Sequence, residues 1–110
     1  MPKGEYLAEF ELYVLLAIVR LGSEAPGAEV RREIEAVGGR RVSIGAVHTT
    51  LLRLEQKGLL GSRLSEPEPV RGGRARKYYR LTAAGKRSLA QSANALSRML
   101  KGAAWAPGRS

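Results

Sequence analysis

Arg71, Arg74, Arg76 and Lys77 crowd four cations around Gly72-Gly73. Guanidinium and ammonium groups at that density bind phosphate, and paired glycines let the backbone come close to it. Further upstream, Thr49 and Arg53 stand one helical turn apart in a segment that opens Ser43-Ile44-Gly45-Ala46. A threonine hydroxyl and an arginine fork bond phosphate oxygens or base edges, and small residues permit close approach to a groove. His48 and Thr50 flank the same segment, and Tyr78-Tyr79 follow the four cations. In an alternating strand one of these tyrosines packs on the core. The other presents its hydroxyl to a phosphate, with Tyr79 as the candidate. The candidate nucleic-acid contacts are therefore Ser43, Gly45, Ala46, His48, Thr49, Thr50, Arg53, Arg71, Arg74, Arg76, Lys77 and Tyr79.

Other chemistries fail on inventory. The chain has one His, no Cys and no Asp, so it offers no thiolate nucleophile and no paired carboxylate and imidazole. A lone His without carboxylate or Cys neighbours makes no metal site. The Gly72-Gly73-Arg74 turn lacks the strand, Gly-rich loop and helix that cradle a nucleotide phosphate, and no cofactor motif is present. An enzyme is not expected, nor is a cofactor.

These residues need a scaffold, and 110 residues with 44 % hydrophobic content are enough for one domain but not for two cores. The net charge of +9 favours a polyanionic partner. It is unevenly placed: residues 1–39 carry −3, residues 40–62 carry +3, residues 63–87 carry +6 and residues 88–110 carry +3. The basic surface thus belongs to the middle of the chain. The longest apolar run, Tyr13 to Val19, is far short of the roughly 20 residues a membrane span requires. The start of the chain lacks a basic patch followed by an apolar run, so no signal peptide is expected. A cytoplasmic, nucleoid-associated protein is the expectation.

Apolar spacing predicts four helices. Leu7 to Leu21 is apolar nearly all round and stops at Gly22. A short helix over roughly 27–37 repeats Val30, Ile34 and Val37 and ends at Gly38-Gly39. Ser43 caps a third, running to about Lys57, whose stripe is Ile44, Val47, Leu51 and Leu54. The opposite face then carries Gly45, Ala46, Thr49, Arg53 and Gln56, with His48 and Leu52 on one flank and Thr50 on the other. Leu60 to Ser65 alternates as a strand, residues 66–76 form a Pro- and Gly-rich loop, and residues 77–81 return. Thr82 caps a last helix to about Gly102, with Leu89, Ala93, Leu96 and Leu100 in a coiled-coil-like seam. The fold class expected is mainly α with a small β-hairpin: a winged helix-turn-helix over 1–82, a C-terminal dimerisation helix over 83–103 and a loose tail over 104–110.

Three stretches resemble the PadR family of bacterial transcriptional regulators: Leu7-Ala-Glu-Phe-Glu-Leu-Tyr-Val-Leu-Leu-Ala-Ile, Val42-Ser-Ile-Gly-Ala-Val-His-Thr-Thr-Leu-Leu-Arg-Leu-Glu-Gln-Lys-Gly-Leu-Leu, and Gly72-Gly-Arg-Ala-Arg-Lys-Tyr-Tyr-Arg-Leu-Thr-Ala-Ala-Gly. The resemblance spans about residues 7–90. With a single C-terminal helix the chain is similar to the short subfamily, which dimerises through its last and first helices. That implies a homodimer joined through Leu7, Phe10, Leu89, Ala93, Leu96 and Leu100. Related regulators bind flat aromatic compounds near the dimer axis, which makes Trp105 the candidate for holding a small aromatic effector. His48 stands where the family usually has Tyr, Leu52 where many members have a polar residue, and Ala25-Pro26-Gly27 where an aromatic-Gly pair is more usual.

The resemblance and the residues together imply a sequence-specific DNA-binding regulator. It would be a repressor that grips double-stranded DNA as a homodimer on a pseudo-palindromic operator. A winged helix that coats nucleic acid without sequence preference, or one that docks a protein, is the alternative. The +6 segment speaks against the docking module, which has no need of it.

Overall fold

The computed structural model describes residues 7–66 and 75–104. Four helices and three short strands follow in the order α1 (Glu9–Arg20), β1 (Glu24–Pro26), α2 (Gly27–Gly38), α3 (Ile44–Gln56), β2 (Leu60–Leu64), β3 (Lys77–Leu81) and α4 (Ala83–Leu100). The helices end where glycine allows it. Gly22, at φ 100°, closes α1 as the Ser23 N–H donates to Ile18 O and the Gly22 N–H to Val19 O. Gly58, at φ 79°, closes α3 in the same way, through Leu59 N–H to Leu54 O and Gly58 N–H to Glu55 O. Both are the paired C-terminal bonds that satisfy a helix's last carbonyls.

The sheet is larger than the hairpin expected from periodicity. Antiparallel β1 joins it in the order β1-β3-β2, with Ala25 opposite Tyr79 and Ser62 opposite Tyr79 on the other side. Three residues are too few to show alternation, and Pro26 reads in sequence as a helix start. Pro26 does cap α2, but only after its own residue has paired as an edge strand.

The core gathers Val14, Leu15 and Ile18 of α1, Val30 and Ile34 of α2, and Val47, Leu51 and Leu54 of α3. The sheet adds Ala25, Leu60, Tyr79 and Leu81, and α4 adds Leu89. Leu89 was expected in a seam between subunits. It lies instead in its own subunit's core, because Gly85 lets the first turns of α4 settle against the α3–β2 turn. Helix α4 stops at Leu100, short of the expected Gly102, as Lys101 turns extended.

A buried carboxylate ties two helices together. Glu11 of α1 is 4 % exposed. Its carboxylate accepts the Ala8 N–H at 3.0 Å and the Lys57 ammonium at 2.8 Å, so it caps α1 and holds the end of α3. Next to it, the Leu7 N–H donates to Ser92 Oγ of α4. Burial pushes the Glu11 carboxyl up, but Lys57 and the Ala8 N–H outweigh it and hold it below the ordinary value of 4.5. A carboxylate depressed in the folded state contributes stability above its ordinary pKa, and loses it as pH falls through the folded value. Glu11→Gln is therefore expected to lower unfolding free energy by about 2 kcal/mol at pH 7. It should also show a smaller loss of stability than the parent below pH 4.5, measured by denaturant titration across pH.

Candidate nucleic-acid interface

Ser43 opens α3, its hydroxyl accepting the Ala46 N–H at 3.0 Å. That cap fixes where the helix begins, and so which residues reach outward. The inward stripe is Val47, Thr50, Leu51 and Leu54, not the one read from apolar spacing. Thr50 is 4 % exposed and Ile44 is 41 % exposed. Thr50, expected at the groove, is thus buried on the inward side of α3, one turn from Val47 and Leu54. The outward face turns accordingly and centres on Gly45, Thr49, Leu52 and Gln56, all exposed, with His48 at one edge and Arg53 at the other. Ala46 is exposed on the Arg53 side. His48 leans on α2, where a Cβ at Gly27 would lie 3.1 Å from its Nε2. The Ala25-Pro26-Gly27 turn and His48 therefore fit one another.

Helix α3 carries one carboxylate, Glu55, and it is occupied elsewhere. It accepts the Ser62 hydroxyl at 2.5 Å and the Lys77 ammonium at 3.2 Å, both on the wing strands. The Ser62 hydroxyl, joined by Lys77 against an opposing effect of burial, holds the Glu55 carboxyl below the usual carboxylate range. Glu55 in turn raises Lys77, whose ammonium also lies 5.1 Å from the Tyr79 ring. Lys77 was expected to touch DNA. The alternation of β3 turns it inward with Tyr79 and Leu81, so it clamps the wing stem to α3 instead. Tyr79 is corrected likewise: it is 5 % exposed and packed in the core.

Tyr78 takes the outer face of the sheet. Arg63 stacks over it at 4.7 Å and reaches across β3 to grip Glu24 with two bonds of 2.8 Å. This bidentate pair joins the two edge strands through the guanidinium plane. The Arg63 bond holds the Glu24 carboxyl below its ordinary value. Arg76 sits at the wing's stem, its backbone paired with Ser65 in both directions and its side chain 3.7 Å from Glu29. So long and exposed an ion pair is worth little and yields readily to a phosphate. Arg71 and Arg74, expected at the wing tip, and Trp105, the expected effector residue, lie outside the described residues.

Arg53 forms no ion pair among the described residues. Arg32, Arg41 and Lys86 are exposed in the same condition. Of the expected subunit contacts, Phe10 and Leu7 are half-buried against the core, with Arg40 lying 5.7 Å over the Phe10 ring. Ala93 is half-buried, while Leu96, Met99 and Leu100 are 51, 77 and 47 % exposed. Sequence reasoning missed Glu24, Glu55 and Arg63 as the residues that set the wing's angle. The opposite charges were visible, but pairs separated by up to 39 positions have no signature in sequence.

Among the described residues no group of three or more His, Cys, Asp or Glu is placed to hold a metal ion. No helix among them is long and apolar enough to cross a membrane. What remains is an acid-free helix face beside a clamped basic hairpin.

Comparison with known proteins agrees with that geometry. The profile of the "Transcriptional regulator PadR-like family" matches residues 15–91. The transcriptional regulator Rv3488 of Mycobacterium tuberculosis is 40 % identical over 79 residues, covering 72 % of this chain and 69 % of the relative. A crystal structure of a PadR family transcription regulator from hypervirulent Clostridium difficile superposes with a TM-score of 0.65 at 27 % identity, covering 82 % of this chain and 91 % of that one. A winged-helix DNA-binding protein from STIV shares the fold, with a TM-score of 0.70 at 19 % identity over 89 % of this chain and 98 % of that one.

Proposed function

The chain belongs to the PadR-like family of transcriptional regulators, and from that premise we propose that it represses transcription as a homodimer on a pseudo-palindromic operator. Its family and relatives are regulators and not enzymes. The observation that carries the proposal is the outward face of α3. It has small residues and Thr49 toward its start, Arg53 a turn later, and no free carboxylate. Such a face enters a major groove without repelling the phosphates on either side. Two of them related by a twofold axis read half-sites about one helical turn apart. The wing, clamped to α3 through Glu55 and Lys77, extends the basic surface along the neighbouring backbone. Occupying a promoter in this way represses, and an effector that favours another dimer geometry releases the DNA.

Selection of bound sequences from a random DNA pool, followed by footprinting and competition with unrelated DNA at physiological salt, tests the proposal. A single palindromic consensus resistant to unrelated competitor supports it. Equal competition by unrelated DNA would reduce the chain to a non-specific nucleic-acid coat. Arg53→Ala is expected to weaken binding to the consensus by about 1–3 kcal/mol and to relax preference at one base position. If affinity for random DNA falls by the same factor, Arg53 serves a phosphate instead.

A further inference from the structure

We propose that Leu52 is a specificity-determining residue that reads the C5-methyl group of a thymine in each half-site; the inference rests on α3 being the groove-facing helix. Leu52 is 47 % exposed although it lies in the middle of a helix that buries Val47, Leu51 and Leu54 completely. It lies on the outward side because Thr50 fills the inward position and rotates the face. Thr49 stands three residues before it and Gln56 four after, both exposed, and Gly45 two turns before leaves the approach open. The face is polar, with Thr49 and Gln56 one turn from Leu52, Arg53 supplying a cation at its far edge, and α3's carboxylate turned away to Ser62 and Lys77. That charge suits a nucleic acid and not an apolar protein partner.

On the major-groove edges of the base pairs the thymine methyl is the apolar feature, while other edges show donors and acceptors. A leucine there can bond none of those donors or acceptors. Set against a guanine or cytosine edge it would strip water from polar atoms without replacing it. Set against a thymine methyl it removes two apolar surfaces from water at once. The Leu52 side chain therefore selects by contact and by exclusion together.

The test replaces single thymines by uracil in the consensus that selection yields, which deletes one methyl and changes no hydrogen bond. At one position per half-site the parent protein is expected to bind about fourfold more weakly, the worth of one methyl-sized group. Leu52→Ala is expected to bind the thymine and uracil operators alike, and Leu52→Met to restore the difference. Leu52 is exposed, so these variants keep the parent's thermal midpoint, and a changed midpoint is itself contrary to an outward-facing role. A parent indifferent to uracil at every position, or an Ala variant that stays sensitive, overturns the assignment while the repressor reading stands. Failure of the pool to yield any consensus overturns both.

Discussion

A protein carrying Leu96→Glu and Leu100→Glu together is expected to scatter light as a monomer and to lose operator binding, with its winged-helix core intact. The reason lies in how far α4 can follow its own subunit. Its first half packs inward: Gly85 and Leu89 are buried and Ser92 accepts the Leu7 N–H. Its second half is only partly covered among the described residues: Ala93 and Ala95 are half-buried, while Leu96, Met99 and Leu100 are about half exposed or more. A groove of about 440 Å³ between α1 and α4, apolar through Leu7, Leu12, Ala95, Leu96 and Met99 with Glu9 and Ser92 as its polar members, continues this surface. Burying each leucine is worth roughly 1.5–3 kcal/mol, so in the proposed dimer the first helix of a second subunit would cover what a lone subunit leaves in water. Two carboxylates in that seam cannot be buried unpaired. Because both positions lie outside the core, the circular dichroism and thermal midpoint of the monomer should remain close to the isolated fold. On the proposed reading, operator binding would be lost because two half-sites held by separate subunits forfeit the gain of joint binding. A double variant that stays dimeric would place the subunit contact elsewhere.

The second large effect is on stability. Gly85→Ala is expected to destabilise the fold by about 3 kcal/mol, against a helix propensity that favours Ala by about 1 kcal/mol. A Cβ at Gly85 would stand 2.0 Å from Leu59 O, a backbone atom in the turn after α3. That carbonyl cannot step aside, since it accepts the Thr82 N–H at 3.1 Å. The Thr82 hydroxyl meanwhile donates to Gly58 O and accepts the Gly85 N–H. The α3–β2 turn and the start of α4 are thus one hydrogen-bonded joint with no room for a methyl group. The thermal midpoint should fall by at least ~10 °C by calorimetry, given the entropy of unfolding of a domain this size. An unchanged midpoint would mean that α4 shifts away from the turn at no cost.

Much of this molecule was legible without coordinates. The glycine stops at Gly22 and Gly58 and the caps at Ser43 and Thr82 are local physics, decided by which residues tolerate a left-handed φ or offer a side-chain oxygen. Helix periodicity, the basic hairpin and the inventory that leaves no enzyme chemistry are likewise written in residue type and order. They led to a winged helix whose element order lacked only β1, and to the resemblance to its family. What tertiary structure alone decided are matters of rotation and partnership. Whether Thr50 or Ile44 faces inward depends on what packs across α3, not on hydrophobicity, and the answer turned the outward face toward Leu52. Tyr79 and not Tyr78 is buried because pairing with β1 and β2 sets the pleat of β3. Lys77 and Glu55 lie 22 residues apart and meet only when the hairpin folds back on α3, while Arg63 and Glu24 lie 39 apart and meet only when β1 completes the sheet. Charge at one position does not say whether its partner is a phosphate or a distant carboxylate, because both attract a cation equally well; only the folded chain brings the carboxylate within reach.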